Sequence, residues 1–240
     1  SKIGVNAIAV VGLTESVLTI TYSLGWGLAM GTTAMIARRV GEGDNDGASV
    51  SAVQSIYLAL IISVPIMICG IFFSEYLLRL MGATNEVISE GSGYTRLTLG
   101  FNLIVILLFL INGIFRGAGD AALAMRSLWI ANSINIVLDP MLIFGIGPFP
   151  ELGIEGAAVA TIIGRSFGII YQLYHLGKGK GLIKIHKDNW HFKPIIIWKL
   201  VKLSSGVTAQ FIISSASWIF LMRIISTFGS TALAGYTIAI

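Results

Sequence analysis

Four stretches of this chain run a membrane's width without an Asp, Glu, Lys or Arg: Ser16–Ala37, Gly47–Ser74, Leu97–Phe115 and Leu203–Met222. About 20 mainly apolar residues of helix cross a bilayer's hydrocarbon core. Two further stretches qualify with one charge each, Ser127–Gly147 with Asp139 and Gly156–Gly177 with Arg165. Six spans predict an all-α, polytopic membrane protein, because in lipid a helix satisfies its own backbone hydrogen bonds. Composition agrees: 55% of the 240 residues are hydrophobic and 12% charged, against about 25% charged in a soluble domain. A soluble fold of this size cannot hide so much apolar surface. The 28 glycines, costly in soluble helices, let membrane helices approach closely, and GAAVAT at Gly156–Thr161 reads as such a packing surface.

The net charge of +4 matters less than its distribution. Connections on one side of the six spans hold eleven Lys and Arg, from Arg38 and Arg39 to Lys199 and Lys202. Those on the other side hold four: Lys2, Arg79, Arg96 and Arg223. Short basic loops stay in the cytoplasm, so the first span runs inward and Glu75, Glu86, Glu90, Glu151 and Glu155 face outward. The expected setting is a bacterial or archaeal plasma (cytoplasmic) membrane, with the lipid bilayer rather than nucleic acid as partner. The longest connection, GKGKGLIKIHKDNWHFKPIIIWK, reads either as a topogenic linker or as a short helix on the inner membrane surface. Cys69 stands alone, so neither an intramolecular disulfide nor a Cys-rich metal site is expected. His175, His186 and His191 lie at or beyond a helix end with no acidic cluster at ligand spacing.

The chain opens in SKIGVNAIAVVG, with neither an initiator Met nor a signal-peptide pattern. Gly4–Ala9 (GVNAIA) and Gly229–Ala234 (GSTALA) share G-x-x-A-I/L-A with six helices between them, and an even number returns the chain to the same side. The expectation is a six-helix unit repeated in parallel. Residues 1–177 would form an N-terminal lobe lacking its first helix, with spans near 12–37, 47–74, 92–115, 123–146 and 154–176. Residues 178–199 would be a cytoplasmic linker, and 200–240 the first helix and following loop of a second lobe.

An ionisable side chain in hydrocarbon is costly and marks a functional candidate. Asp139 is the only acid expected well inside a span. Asn132, Asn135 and Asp139, at i, i+3 and i+7, share one helix face. Pro140 removes a backbone hydrogen bond, freeing the Ile136 carbonyl beside that face. The group reads as a cation or proton site, or as polar stitching between helices. Tyr94 and Asn112, 18 residues apart, are expected to share a face five turns apart, Asn112 serving packing or the site. Thr161 and Arg165 are one turn apart. Arg165 needs a partner, with Asp139 or a helix carbonyl the expected choice; pairing would lower the Asp139 pKa and argue against a simple proton carrier.

Two inner loops read RRVGEGD (Arg38–Asp44) and RGAGD (Arg116–Asp120). Their shared G-x-G-D also occurs in intramembrane aspartyl proteases, which need two carboxylates close together at membrane depth. Asp44 and Asp120 lie instead beside Arg residues at span ends, so tight turns with helix caps are expected, with gating contacts an added reading. No strand precedes these glycines, which excludes a dinucleotide loop.

GLAMGTTAMIARRVGEGD at Gly27–Asp44, INGIFRGAGDA at Ile111–Ala121, NIVLDPMLIFG at Asn135–Gly145 and LGIEGAAVAT at Leu152–Thr161 together resemble the multidrug and toxic compound extrusion (MATE) family, in order over essentially the whole chain. The resemblance implies a twelve-helix, two-lobed transporter, of which this chain would hold helices two to seven. It implies no enzyme and no cofactor. The function implied is a monomeric antiporter exporting drugs or other amphipathic, often cationic small molecules in exchange for H+ or Na+ by alternating access. In DinF-like members it places an H+ or Na+ site on Asn112, Asn135, Asp139 and Thr161, with Tyr94, Asn132 and Arg165 lining the cavity and Pro140 at a helix bend. The Asp139–Thr161 interval is a few residues longer than usual. The family's partner Asp would precede Ser1, and the NorM-like acid on helix seven is absent from Leu203–Met222. Rival readings are a related lipid-linked oligosaccharide flippase, which would favour a strongly cationic cavity, and an intramembrane enzyme, which needs a second acid at matching depth.

Overall fold

The computed structural model describes residues 5–178 and 181–226, and every element among them is helical: α1 (Val5–Gly41), α2 (Asn45–Leu80), α3 (Asn85–Gly100), α4 (Asn102–Gly117), α5 (Ala121–Phe144), α6 (Gly153–Lys178), a 3-10 turn (Lys187–Trp190) and α7 (Pro194–Ser226). Five helices are long and apolar enough to cross a membrane, with α3 and α4 together making one of them. The expected first span lies in α1, 37 residues long. α1 packs against α2, α3, α4 and α7 and buries Thr14, Thr21, Ser23 and Thr32 between them. α1 also begins at Val5, well before Ser16, so Glu15 sits about three turns inside a helix. Asp139 is therefore not the only acid well within one.

The third span is broken. Phe101 leaves helical geometry (φ −106°, ψ 21°), and the Asn102 amide donates to the Leu99 carbonyl at 2.6 Å, occupying a backbone group at the break. Both G-x-G-D loops form as expected. Gly43 and Gly119 adopt positive φ (78° and 83°), the conformation glycine reaches without strain. The next residue caps the following helix: Asp44 accepts from the Gly47 N–H at 2.8 Å and Asp120 from the Leu123 N–H at 3.1 Å.

α5 and α6 pack face to face along a stripe in α6 of Gly156, Ala160, Gly164 and Gly168. A Cβ on Gly164 would stand 2.6 Å from the Ala131 carbonyl, so the backbones are as close as small residues allow. The main core lies where α1 and α4 cross, around Leu28, Ile36, Ile106, Leu110, Ile111 and Ile114. Phe72, Trp129, Ile136, Ile170 and Ile195 point outward, 61–74% exposed; in water this would be a liability, and in lipid it is the solvated face.

The inner connection gives its ends to α6 and to α7, which begins at Pro194, and between them its described residues form no helix beyond the 3-10 turn. It is pinned to α2 instead. Gln54 donates to the His191 carbonyl and accepts from the Lys193 N–H, both at 2.8 Å, and Ser49 accepts from the Lys184 N–H at 3.1 Å. Polar partners on α2 thus satisfy backbone that a helix would otherwise satisfy itself. Of the two repeat phrases, Gly229–Ala234 and the start of Gly4–Ala9 lie outside the described residues.

Candidate functional site

Asn135 and Asp139 are one turn apart on α5, and the Asn135 amide donates to Asp139 Oδ1 at 3.0 Å. The same amide nitrogen donates to Thr161 Oγ1 of α6 at 3.2 Å. The α6 stripe positions this bridge: with no side chain at Gly164, Asn135 approaches its backbone. The result is an oxygen-rich cluster in the outer half of the α5–α6 pair. It leaves Asp139 Oδ2, one carboxylate oxygen, without a partner from Asn135. A proton suits the carboxylate; Na+, a hard cation, suits the carboxylate, amide and hydroxyl oxygens. No group of three or more His, Cys, Asp or Glu gathers among the described residues, so a transition-metal centre has no ligand set there. Pro140 follows on the outer side, within a helix that continues to Phe144.

Asn112 is not part of this cluster. Its Oδ1 accepts from the Gln172 amide at 2.9 Å and lies 3.0 Å from Ser127 Oγ; Gln172 also donates to Ser127 Oγ at 2.9 Å. All three side chains are buried. Ser127 precedes Asp139 by twelve residues of α5, or about 18 Å along the axis. The structure thus has two polar clusters, an outer one of Asn135, Asp139 and Thr161 and an inner one of Asn112, Ser127 and Gln172.

Tyr94 and Asn112 are separated for a related reason: the five-turn register is interrupted at Phe101. Tyr94 packs with Val10, Val87 and Ala158 in a small outer core and lines a cavity of about 90 Å³ with Glu15, Tyr22, Thr98, Thr161 and Arg165. Tyr94 and Arg165 thus share this cavity, and Thr161 connects it to the outer cluster. Arg165 does not pair with Asp139: the ion pairs among the described residues are Arg38–Glu42 and Arg39–Asp44. Arg165 faces Glu15's cavity instead. Asn132 is exposed on α5, outside that cavity.

Three participants were not singled out in the sequence. Glu15 falls one residue before a charge-free stretch, where counting charges ends the span. Gln172 carries no charge and is passed over by the same count. Ser127 was only a span boundary. The signal available for Gln172 was its place in the stripe, one turn beyond Gly168.

An all-helical bundle with membrane-length spans, close helix pairs and polar clusters between its helices is the architecture of a polytopic membrane transport protein. The MatE family model matches residues 1–141, and the chain belongs to this family, whose members are transporters rather than enzymes and are integral to the cytoplasmic membrane. It is 26% identical to the probable multidrug resistance protein YoeA of Bacillus subtilis over 98% of this chain and 51% of that protein. It is 33% identical to a FAD transporter of Shewanella oneidensis over 68% of this chain and 36% of that protein. Among solved structures, at 31% identity, it matches an outward-facing conformation of a multidrug resistance MATE family transporter with a TM-score of 0.90, covering 98% of this chain and 52% of that one. An inward-facing conformation matches with a TM-score of 0.81, over 97% and 52%. The chain spans about half the length of the curated relatives it matches end to end.

Proposed function

We propose that this chain provides the ion-coupling half of a monomeric antiporter that exports amphipathic, often cationic organic compounds in exchange for H+ or Na+. The observation that carries this reading is the Asn135–Asp139–Thr161 bridge, which joins Asp139, the one acid of α5, to the facing helix α6. An ion binding Asp139 competes with the Asn135 N–H for the carboxylate and so changes what holds the outer halves of α5 and α6 together. Coupling follows if the ion binds the two access states with different free energies. Pro140, which leaves the Ile136 carbonyl without its helical donor, provides a compliant point beside the site. The multidrug names of the relatives support a xenobiotic substrate.

Residues 1–177 act in this reading as one lobe and α7 as the first helix of the next. α7 lies against α1 where a Cβ on Gly27 or Gly31 would overlap Thr208 or Ser204. This inner-half seam fits the better match to an outward-facing transporter, and opening inward requires it to part. A flippase with a strongly cationic cavity is disfavoured, since Arg165 shares its cavity with Glu15.

The test is export from membranes containing the protein, driven by an imposed pH gradient or an imposed Na+ gradient, with an amphipathic cation as cargo and FAD as a control. Export should follow one gradient and disappear in Asp139→Asn. Gradient-driven export that survives in the variant sinks the assignment.

A further inference from the structure

Glu15 on α1 and Arg165 on α6 face the same cavity of about 90 Å³, about three waters in size at ~30 Å³ each. Among the described residues neither belongs to an ion pair. Glu15 is exposed on α1 and Arg165 is half-buried on α6, so two opposite charges on different helices line one cavity. Glu15 is held there firmly: the adjacent Thr14 is hydrogen-bonded to Thr95 of α3 at 2.8 Å, fully buried, which locks α1 to the turn after Tyr94. Tyr22 and Tyr94 line the same cavity, and aromatic faces beside a carboxylate favour an alkylated ammonium group. Arg165 offers a planar guanidinium fork suited to a carboxylate or phosphate.

We propose that this cavity is a subsite for the doubly charged head of a zwitterionic solute, with its ammonium group toward Glu15 and the tyrosines and its anionic group toward Arg165. Such a head meets both charges at once, which a simple cation or anion does not. The volume admits a charged head of a few heavy atoms, so an attached apolar body must lie outside. Thr161, shared by the cavity and the Asp139 cluster, places the bound head beside the coupling ion. Only the relevance to export rests on the transport reading above; binding does not.

The test is equilibrium binding to the protein in nanodiscs of three probes on one scaffold: N,N,N-trimethylphenylalanine, a zwitterion; its methyl ester, a cation; and 3-phenylpropionate, an anion. The zwitterion should bind about tenfold or more tightly than either single-charge probe, the scale of one charge-assisted hydrogen bond. Arg165→Gln should abolish its advantage over the ester, and Glu15→Gln its advantage over phenylpropionate. Should either variant fail to fold, the exchange Glu15→Arg with Arg165→Glu keeps the total charge and should restore the preference. Equal binding of the three probes to the native protein, as expected of a cavity holding only water, overturns the proposal, as does a preference unchanged in both variants. Zwitterion preference without export would count against the antiporter reading alone, and export without the preference against this subsite alone.

Discussion

Asn112 and Asp139 show what single residues reveal and what they conceal. Asp139 and Asn135 were legible because one turn of one helix links them, and that spacing survives in any helix. Thr161 was reached through the family phrase around it. The partners of Asn112 were not legible, because no local periodicity reports which side chain of another helix faces it. Ser127 and Gln172 are there, hydrogen-bonded to the Asn112 side chain. Removing Gln172 leaves buried polar groups without partners, at about 1–3 kcal/mol each. Gln172→Leu should therefore lower the thermal unfolding midpoint in detergent while leaving the preference for pH or Na+ gradient intact. Thr161→Val should do the reverse, keeping the midpoint within a degree or two while weakening gradient-driven export, because it removes an acceptor of the bridge without opening a void.

At the scale of elements, sequence and structure agree best where a residue type is forced by backbone geometry. The glycine–aspartate pairs before α2 and α5 are one such case: a left-handed glycine followed by a capping carboxylate ends one helix and starts the next. Asp120→Ala should cost about 1 kcal/mol, read as a lower unfolding midpoint. The α6 stripe is another. Gly164→Leu should separate α5 from α6 and abolish folded protein in detergent, while Gly164→Ala, which brings a Cβ against the Ala131 carbonyl, should cost about 1–3 kcal/mol. Sequence and structure diverge where tertiary contacts override local pattern. α1 turns Thr14, Thr21, Ser23 and Thr32 toward its neighbours and Ile20, Trp26 and Met30 outward, a division that a count of charges does not reveal. Between α6 and α7 the Lys-rich connection is irregular apart from one 3-10 turn, and Ser49, Gln54 and Tyr57 on α2 take some of its backbone groups.

At the scale of the molecule, the asymmetry of Lys and Arg sets orientation, and the two polar clusters then fall at different depths: the Asp139 cluster outward, the Asn112 cluster inward. With Cys69→Ser as background, Glu151→Cys should react with a membrane-impermeant maleimide in intact cells, and Lys184→Cys only after permeabilisation; the opposite pattern would invert the topology. The account's central claim is that ion coupling resides in the outer cluster and that the inner cluster holds helices together. Its most direct test records counter-ion flux and cargo export together in proteoliposomes for the native protein, Asp139→Asn and Asn112→Ala. The account predicts that Asp139→Asn loses coupled flux, whereas Asn112→Ala keeps the native number of ions per exported molecule even if less folded protein is recovered. Native coupling in Asp139→Asn, or its loss in folded Asn112→Ala, would contradict it.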